Sequence, residues 1–394
     1  MRPAPNLIPR FNLDYNFSDF LYTIKSAFNR DNVEMEPLHR IFGDKTFLFT
    51  NTGRSSLYLI LRALNLPKAS KIGVPLYSCT VVFDAIIKAG CIPYFIDIDL
   101  DNYTLDPEDL AEKIDGLSAV VVIHTFGRPA DMDRIKEVAG DVPVIEDCAH
   151  SLLSRYGEEQ TGTLSFASFF SFKKYLSMGE GGMIILNNDE FMDGFQREID
   201  SLDSFTTINE VKDAFVTYGH SFLYHKPWFG LFSYPIGSYM RNIVGQDGSA
   251  KDFKVNKIRK THLNLLFKKL NRFGDRVELQ RKNSFLLLKE LRDTSLILPY
   301  EKKNTYCNYY LFPIRFDNRK ERGKAHVWLR GINVDTAKLY SETPMNARRL
   351  YGYKGDCPDS EIVADTILII PNYYTLAEKN LIKIIDSIRK ERLL

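Results

Sequence analysis

Between Phe47 and Leu186 short apolar runs alternate with helical patterns, and this alternation constrains the chain more than any other feature. It calls for an α/β fold, a mostly parallel sheet covered by helices. The strand candidates are Ile72 to Val74, Tyr94 to Ile98, Ala119 to His124, Val142 to Glu146, Phe166 to Phe172 and Met183 to Leu186. One helix opens at Asp106-Pro107-Glu108-Asp109, where aspartate caps free amides and proline suits the first turn. Another runs from about Thr80 to Ala89 and stops at Gly90. Parallel strands buried on both faces leave chemistry to the loops at their carboxyl ends. His124, Asp147 and Lys174 all fall there.

A chain of 394 residues exceeds what one compact core usually serves, so two domains are expected. Residues 1–248 form the large one, in which 188–248 lose the alternation, turn aromatic-rich and read as an irregular insertion. Residues 249–394 begin with a long helix, about Asn256 to Leu291, whose lysines and arginines read as a solvated face. Strand-like Tyr309 to Phe316 and Ile367 to Ile370, with a final helix from Leu376, complete a smaller α+β domain.

With 52 basic against 50 acidic residues the balance is near neutral, which argues against a general nucleic-acid binder. Five scattered cysteines without a CxxC pair suit a reducing compartment and argue against structural zinc. No metal site is expected. The N-terminal Met1-Arg2-Pro3-Ala4-Pro5 lacks the apolar core of a signal peptide, and no apolar run is long enough to span a bilayer. A cytoplasmic protein is expected. The apolar patch Trp228 to Ile236 is short and broken by glycine and proline, and reads as a buried loop or dimer contact rather than a membrane-docking segment.

Three polar elements carry the chemistry. Pro143 to His150 put two acids, Glu146 and Asp147, at the end of an apolar strand. Alone, such an acid is more often a cap or a surface charge. The segment Phe170-Ser171-Phe172-Lys173-Lys174 then leads to Gly179-Glu180-Gly181-Gly182. A lysine three residues beyond a serine, just before a glycine-rich turn, is positioned to form an imine beside a phosphate-binding hydroxyl. An isolated lysine pair is ordinarily solvated. The third element, Thr50-Asn51-Thr52-Gly53-Arg54-Ser55-Ser56-Leu57, is a polar turn opening a helix, either an ordinary serine-rich cap or an anion site.

Together these segments resemble the DegT/StrS family of sugar aminotransferases, which depend on pyridoxal 5'-phosphate (PLP) and belong to the fold type I superfamily. Gly53-Arg54-Ser55-Ser56-Leu57 is similar to the family's phosphate turn, and Val74 to Thr80 to its next loop. Ala89 to Asp99 is similar to the stretch that ends in paired aspartates. Glu146-Asp147-Cys148-Ala149-His150 resembles the block whose aspartate meets the pyridine nitrogen. Phe170-Ser171-Phe172, Lys174 and Gly179 to Gly182 resemble the lysine block, and Gly331-Ile332 and Ile370-Pro371 the small-domain landmarks.

The resemblance implies a three-layer large domain and a small C-terminal domain. It implies that Lys174 holds PLP as an imine and moves protons, that Asp147 keeps the pyridine nitrogen protonated, and that His150 packs on or bonds to the ring. Gly53, Arg54, Ser55, Cys79 and Ser171 join these three as cofactor-binding residues. It further implies glutamate as donor, a nucleotide-linked keto sugar as acceptor, and a homodimer whose partner chain completes the phosphate pocket. The pathway implied is surface polysaccharide or secondary-metabolite synthesis.

This chain departs from the family pattern in several places. Many relatives place three residues between the Phe-Ser-Phe triplet and the lysine, whereas only Lys173 intervenes here, so Lys173 is the alternative imine former. Cys79 stands where an aromatic ring is common, leaving Tyr77 or His150 to substitute. Arg54 replaces a common threonine. A sugar dehydratase of the same fold typically carries histidine in place of the lysine, and a cofactor-free relative acting as sensor or scaffold should have lost Asp147, Ser171 and Lys174.

Overall fold

The computed structural model describes residues 4–29, 35–188, 192–244 and 252–390. Twelve strands occur among them: β1 (Thr46–Thr50), β2 (Lys71–Pro75), β3 (Ile92–Ile96), β4 (Leu117–Ile123), β5 (Val144–Asp147), β6 (Arg155–Tyr156), β7 (Glu159–Gln160), β8 (Ala167–Ser171), β9 (Gly182–Leu186), β10 (Thr305–Tyr306), β11 (Phe312–Arg315) and β12 (Ile367–Ile370). Seven of them form one sheet in the order β1-β9-β8-β5-β4-β2-β3. From β8 to β3 every neighbouring pair is parallel. Only β9 runs against its neighbours. All six expected strands of this sheet are present; β1 was not among them, because its Thr-Phe-Leu-Phe-Thr run leads straight into the polar turn that drew the reading.

Successive side chains of a strand face opposite sides, and here both sides are apolar. In β4, Val121 packs with Leu57, Ile60 and Phe83, whereas Val120 and Val122 pack with Leu110 and Ile135. In β8, Phe169 joins the first layer and Phe170 packs instead with Leu265 and Leu266. Each fully buried side chain of this kind contributes roughly 1.5–3 kcal/mol. The result is a sheet sandwiched between helices, three layers in all.

The helix Pro107–Lys113 starts as expected, with the Asp106 side chain accepting Glu108 N–H. The helix Thr80–Lys88 ends before Gly90, whose φ is +83°. The C-terminal part joins the sheet through Asp97, just after β3. Its carboxylate accepts N–H groups of Asp359 and Ser360 and so caps the helix Pro358–Thr366. Strands β11 and β12 pair antiparallel beneath Leu329, Leu381 and Ile384.

Three readings need correction. The expected irregular insertion is helical: Met192–Asp200, Thr207–Leu223 and Tyr234–Val244 are α-helices joined through a π turn at Phe229–Ser233. Residues 189–191 and 245–248 of that segment lie outside the described residues, as do Met1 to Pro3. The long helix divides into Lys260–Leu270 and Phe273–Leu291, and its basic residues are not all solvated, since buried Lys269 pairs with Asp19 at 3.0 Å. The patch from Trp228 to Ile236 is only half buried. Phe229 packs on Leu7, while Trp228, Phe232 and Ile236 are 37%, 47% and 59% exposed.

Candidate active site

The strand order reverses direction between β2 and β4, and the loops beyond the carboxyl ends there enclose a cleft, the place where open α/β sheets bind ligands. Its volume is about 510 Å³, and its wall includes Gly53, Arg54, Ser78, Cys79, Asp147, His150, Ser171, Lys174 and Tyr340. Six separate stretches of chain meet there.

Asp147 ends β5 and is buried. It accepts Ala149 N–H at 2.8 Å. Burial pushes its carboxyl above the ordinary range, with Lys174, Ala149 N–H and His124 opposing. A buried carboxylate in that state favours a cationic partner. Glu146, one residue earlier, faces the opposite side of the strand and is fully engaged: it accepts Gly162 N–H, Leu164 N–H and the Ser165 hydroxyl, and meets His124 Nε2 at 2.9 Å. His124 Nδ1 accepts Ala130 N–H, so its proton sits on Nε2 and points at Glu146. The two acids expected together therefore have separate roles, and His124 belongs to the structural one. His124, Glu146 and Cys148 also cluster within metal-ligating distance, but these hydrogen bonds already engage the histidine and the carboxylate.

Lys174 lies on the short helix Phe172–Leu176 that follows β8. Its side chain lines the cleft, whereas Lys173 is exposed and lines a separate depression with Asp213 and His220. Of the two lysines left open by spacing, Lys174 alone shares the cleft with Asp147. His150 is buried, and its Nδ1 accepts Phe126 N–H at 3.3 Å. Burial, reinforced by Lys174, holds its imidazole well below the ordinary range, so the ring is neutral with its proton on Nε2.

The helix Gly53–Ala63 points its N-terminus at the cleft. A side chain at Gly53 would meet the Phe170 carbonyl at 3.0 Å and Ser171 Cβ at 3.1 Å, so glycine permits the close approach that puts free amides beside Ser171. Arg54 lines the cleft, 3.6 Å from Asp84 and stacked over Phe253. Ser55 does not line the cleft. It is buried behind the cleft wall, its hydroxyl bonded to Thr52 Oγ1 at 2.9 Å, because Thr52 is the N-cap and draws it inward. Tyr77 also turns away, donating to the Leu339 carbonyl, which leaves Cys79 and His150 of the proposed ring contacts.

Tyr340 was missed. It comes from the C-terminal part of the chain, stands edge-on to Tyr77 at 5.3 Å, and holds a φ of +55°. Backbone strain in a tyrosine is a structural signal of function; no spacing in the sequence links it to the cleft. The arrangement can hold a flat heteroaromatic ring with a basic nitrogen at Asp147 and an anionic group at the Gly53 helix end. The buried, partner-seeking Asp147 is the test of that fit, and the residues pass it.

The DegT/DnrJ/EryC1/StrS aminotransferase family matches residues 31–389. The chain belongs to that family. Among relatives of this DegT/DnrJ/EryC1/StrS member, the uncharacterized protein MJ1066 of Methanocaldococcus jannaschii is 26% identical, over 91% of this chain and 89% of its own. A GDP-perosamine synthase of Escherichia coli O157:H7 is 33% identical over 36% of this chain and 41% of its own. In structure, DesV of S. venezuelae in complex with a ketimine intermediate superposes with a TM-score of 0.76 at 19% identity, covering 98% of each chain. The fold is fold type I, as the resemblance implied.

Proposed function

We propose that the protein is a PLP-dependent aminotransferase that moves an amino group from glutamate to a nucleotide-linked keto sugar in polysaccharide or secondary-metabolite synthesis. One observation carries the reading: Asp147 and Lys174 line a single cleft whose far wall is a helix N-terminus. Family membership and the names of relatives such as GDP-perosamine synthase support the sugar acceptor.

When bound, PLP supplies an electron sink for the bond broken at the substrate carbon. Lys174 Nζ would be the amine that holds the cofactor, and it is placed to take up and return a proton at the substrate carbon. Asp147 holds the proton on the pyridine nitrogen by charge. The Gly53 helix end and Ser171 hold the phosphate, with Arg54 adding positive charge nearby. Neutral His150 would line the ring's side of the cleft without competing for its charge.

The active species is a homodimer, and an apolar face on the helices Phe17–Phe28 and Thr207–Leu223 supports this. Among the described residues no helix is long and apolar enough to cross a membrane. All five cysteines are free, which favours the cytoplasm.

The test is direct. Protein purified with PLP should absorb in the visible, lose the band on borohydride reduction and yield a peptide labelled at Lys174. Glutamate should then bleach the unreduced band, and mass analysis should find an aminated product among nucleotide keto sugars. A label on Lys173, or no bleaching by any amino donor, defeats the reading.

A further inference from the structure

Lys174 stands between two cavities. Besides the cofactor cleft, it lines a second space of about 510 Å³ walled by Asn12, Phe273, Arg276, Tyr310, Tyr373 and Tyr374. The two half-reactions of an aminotransferase both bring a substrate up to this lysine. Resting on that reading, we propose that Arg276 binds the carboxylate of the amino donor.

Among the described residues, Arg276 is, apart from Lys174, the only cationic residue lining the second cavity, and no acidic residue lines it. The guanidinium is held in place on one side only. Its Nη2 reaches Asp14 at 3.1 Å, and its plane sits 5.1 Å from the Tyr374 ring, whose hydroxyl binds the same Asp14 oxygen at 2.5 Å. Its Nη1 is buried without a hydrogen-bond partner. An unpaired buried donor is costly, and a carboxylate oxygen removes that cost through a charge-assisted bond from a pre-set fork. The neighbouring amides are already occupied. Gln280 donates to the carbonyls of Tyr309 and Tyr310, and Asn308 to those of His150 and Leu152.

The donor's chemistry matches what is left. An amino acid carries a carboxylate on the carbon that reacts, next to Lys174, whereas a keto sugar presents a neutral ring there. The remaining wall, mostly aromatic, suits the sugar in the other half-reaction. A diphosphate on the acceptor is the competing source of anionic oxygen, and the two half-reactions tell them apart.

The experiment titrates PLP-loaded wild type and Arg276→Gln with L-glutamate, reading loss of the visible band. The half-saturating glutamate concentration should rise on the order of 10- to 100-fold, while reaction of the pyridoxamine-loaded variant with nucleotide keto sugars stays unchanged. Calorimetry of 2-oxoglutarate binding to the cofactor-free proteins should show weakening of the same order. Should Arg276→Gln fail to fold, Arg276→Lys decides, with a several-fold rise expected from loss of the planar fork. Unchanged glutamate saturation overturns the proposal, as does a defect confined to the keto sugar half-reaction. A wild type bleached by no amino donor overturns the aminotransferase reading itself.

Discussion

The Tyr175 hydroxyl donates to the Cys148 carbonyl at 2.8 Å and, in the same position, accepts Leu152 N–H at 2.9 Å. Tyr175 follows Lys174 and Cys148 follows Asp147, so this bond braces the two cleft residues against each other. The phenol is buried, which holds its pKa well above the ordinary range and keeps it a donor. Removing it leaves the buried Leu152 N–H unpaired, while the Cys148 carbonyl keeps Ser151 N–H, a loss of about 1–3 kcal/mol. Tyr175→Phe should therefore melt at lower temperature and release PLP faster than wild type. Thermal melts and dilution-driven loss of the visible band measure this, and wild-type values for both would refute the brace.

The adjacent acids should separate by mutation. Glu146→Gln disrupts a carboxylate that serves four donors, so the expected loss is about 3–5 kcal/mol, the scale for breaking a buried charged network. Folded Glu146→Gln protein should still show the wild-type visible band, because Glu146 is absent from the cleft wall. Denaturant unfolding and absorption spectra on one preparation decide it. An altered band with unaltered stability would reverse the assignment of the two acids.

Asp147 gives a pH prediction whose sign follows from burial. Its folded pKa in the cofactor-free protein is raised above the unfolded value, so the native state binds the proton more tightly. Its contribution is most favourable below the unfolded pKa and is lost as pH rises through the folded one. Once ionised, the buried carboxylate is destabilising in the cofactor-free protein. Asp147→Asn should raise the melting temperature of the cofactor-free protein at pH 7 relative to wild type, with the difference shrinking toward pH 4. The same substitution should weaken PLP binding, since the charge that holds the ring nitrogen is gone. A variant destabilised at pH 7 would contradict this account.

What could be read from the sequence follows the range of the forces involved. The strands of the main sheet show in the chain because a run buried on both faces leaves a local apolar signature, and the residues after β5 and β8 then follow from topology. The meeting of Asp147, Lys174 and Ser171 at one cleft was legible for that reason. That Ser55 is drawn from the cleft lining was not legible, because its direction depends on the hydroxyl of Thr52, three residues away, and one cap competes with another without a compositional trace. Tyr340 was invisible because it reaches the cleft from a turn nearly two hundred residues beyond Asp147, held by packing on Tyr77. The helix Thr207–Leu223 escapes a periodic reading because apolar Ala214 is buried while Ile208, Phe215, Val216 and Phe222 are exposed, which blurs the amphipathic period.

That outward apolar side yields the last prediction. Phe215 and Val216 on the helix Thr207–Leu223 are 60% and 70% exposed, and Phe17 and Leu21 on the helix Phe17–Phe28 are also exposed. These two helices pack together through Phe20, Phe215 and Tyr218, so the exposed rings form one surface rather than scattered points. A contiguous apolar patch of this kind marks an interface. Val216 also lines the depression that holds Lys173 and Gly179, next to the lysine helix, so a second copy seated there would abut the segment carrying Lys174. A two-fold contact uses each such residue twice, once per subunit, and a buried unpaired carboxylate in it is strongly unfavourable. Wild type should therefore elute as a dimer by light scattering, and Val216→Asp should shift it to monomer while leaving the melting transition of the fold intact. On the proposal that a partner chain completes the phosphate pocket, the monomer should retain PLP poorly. A monomer that holds PLP and aminates sugar at the wild-type rate would place the interface, or the need for one, elsewhere.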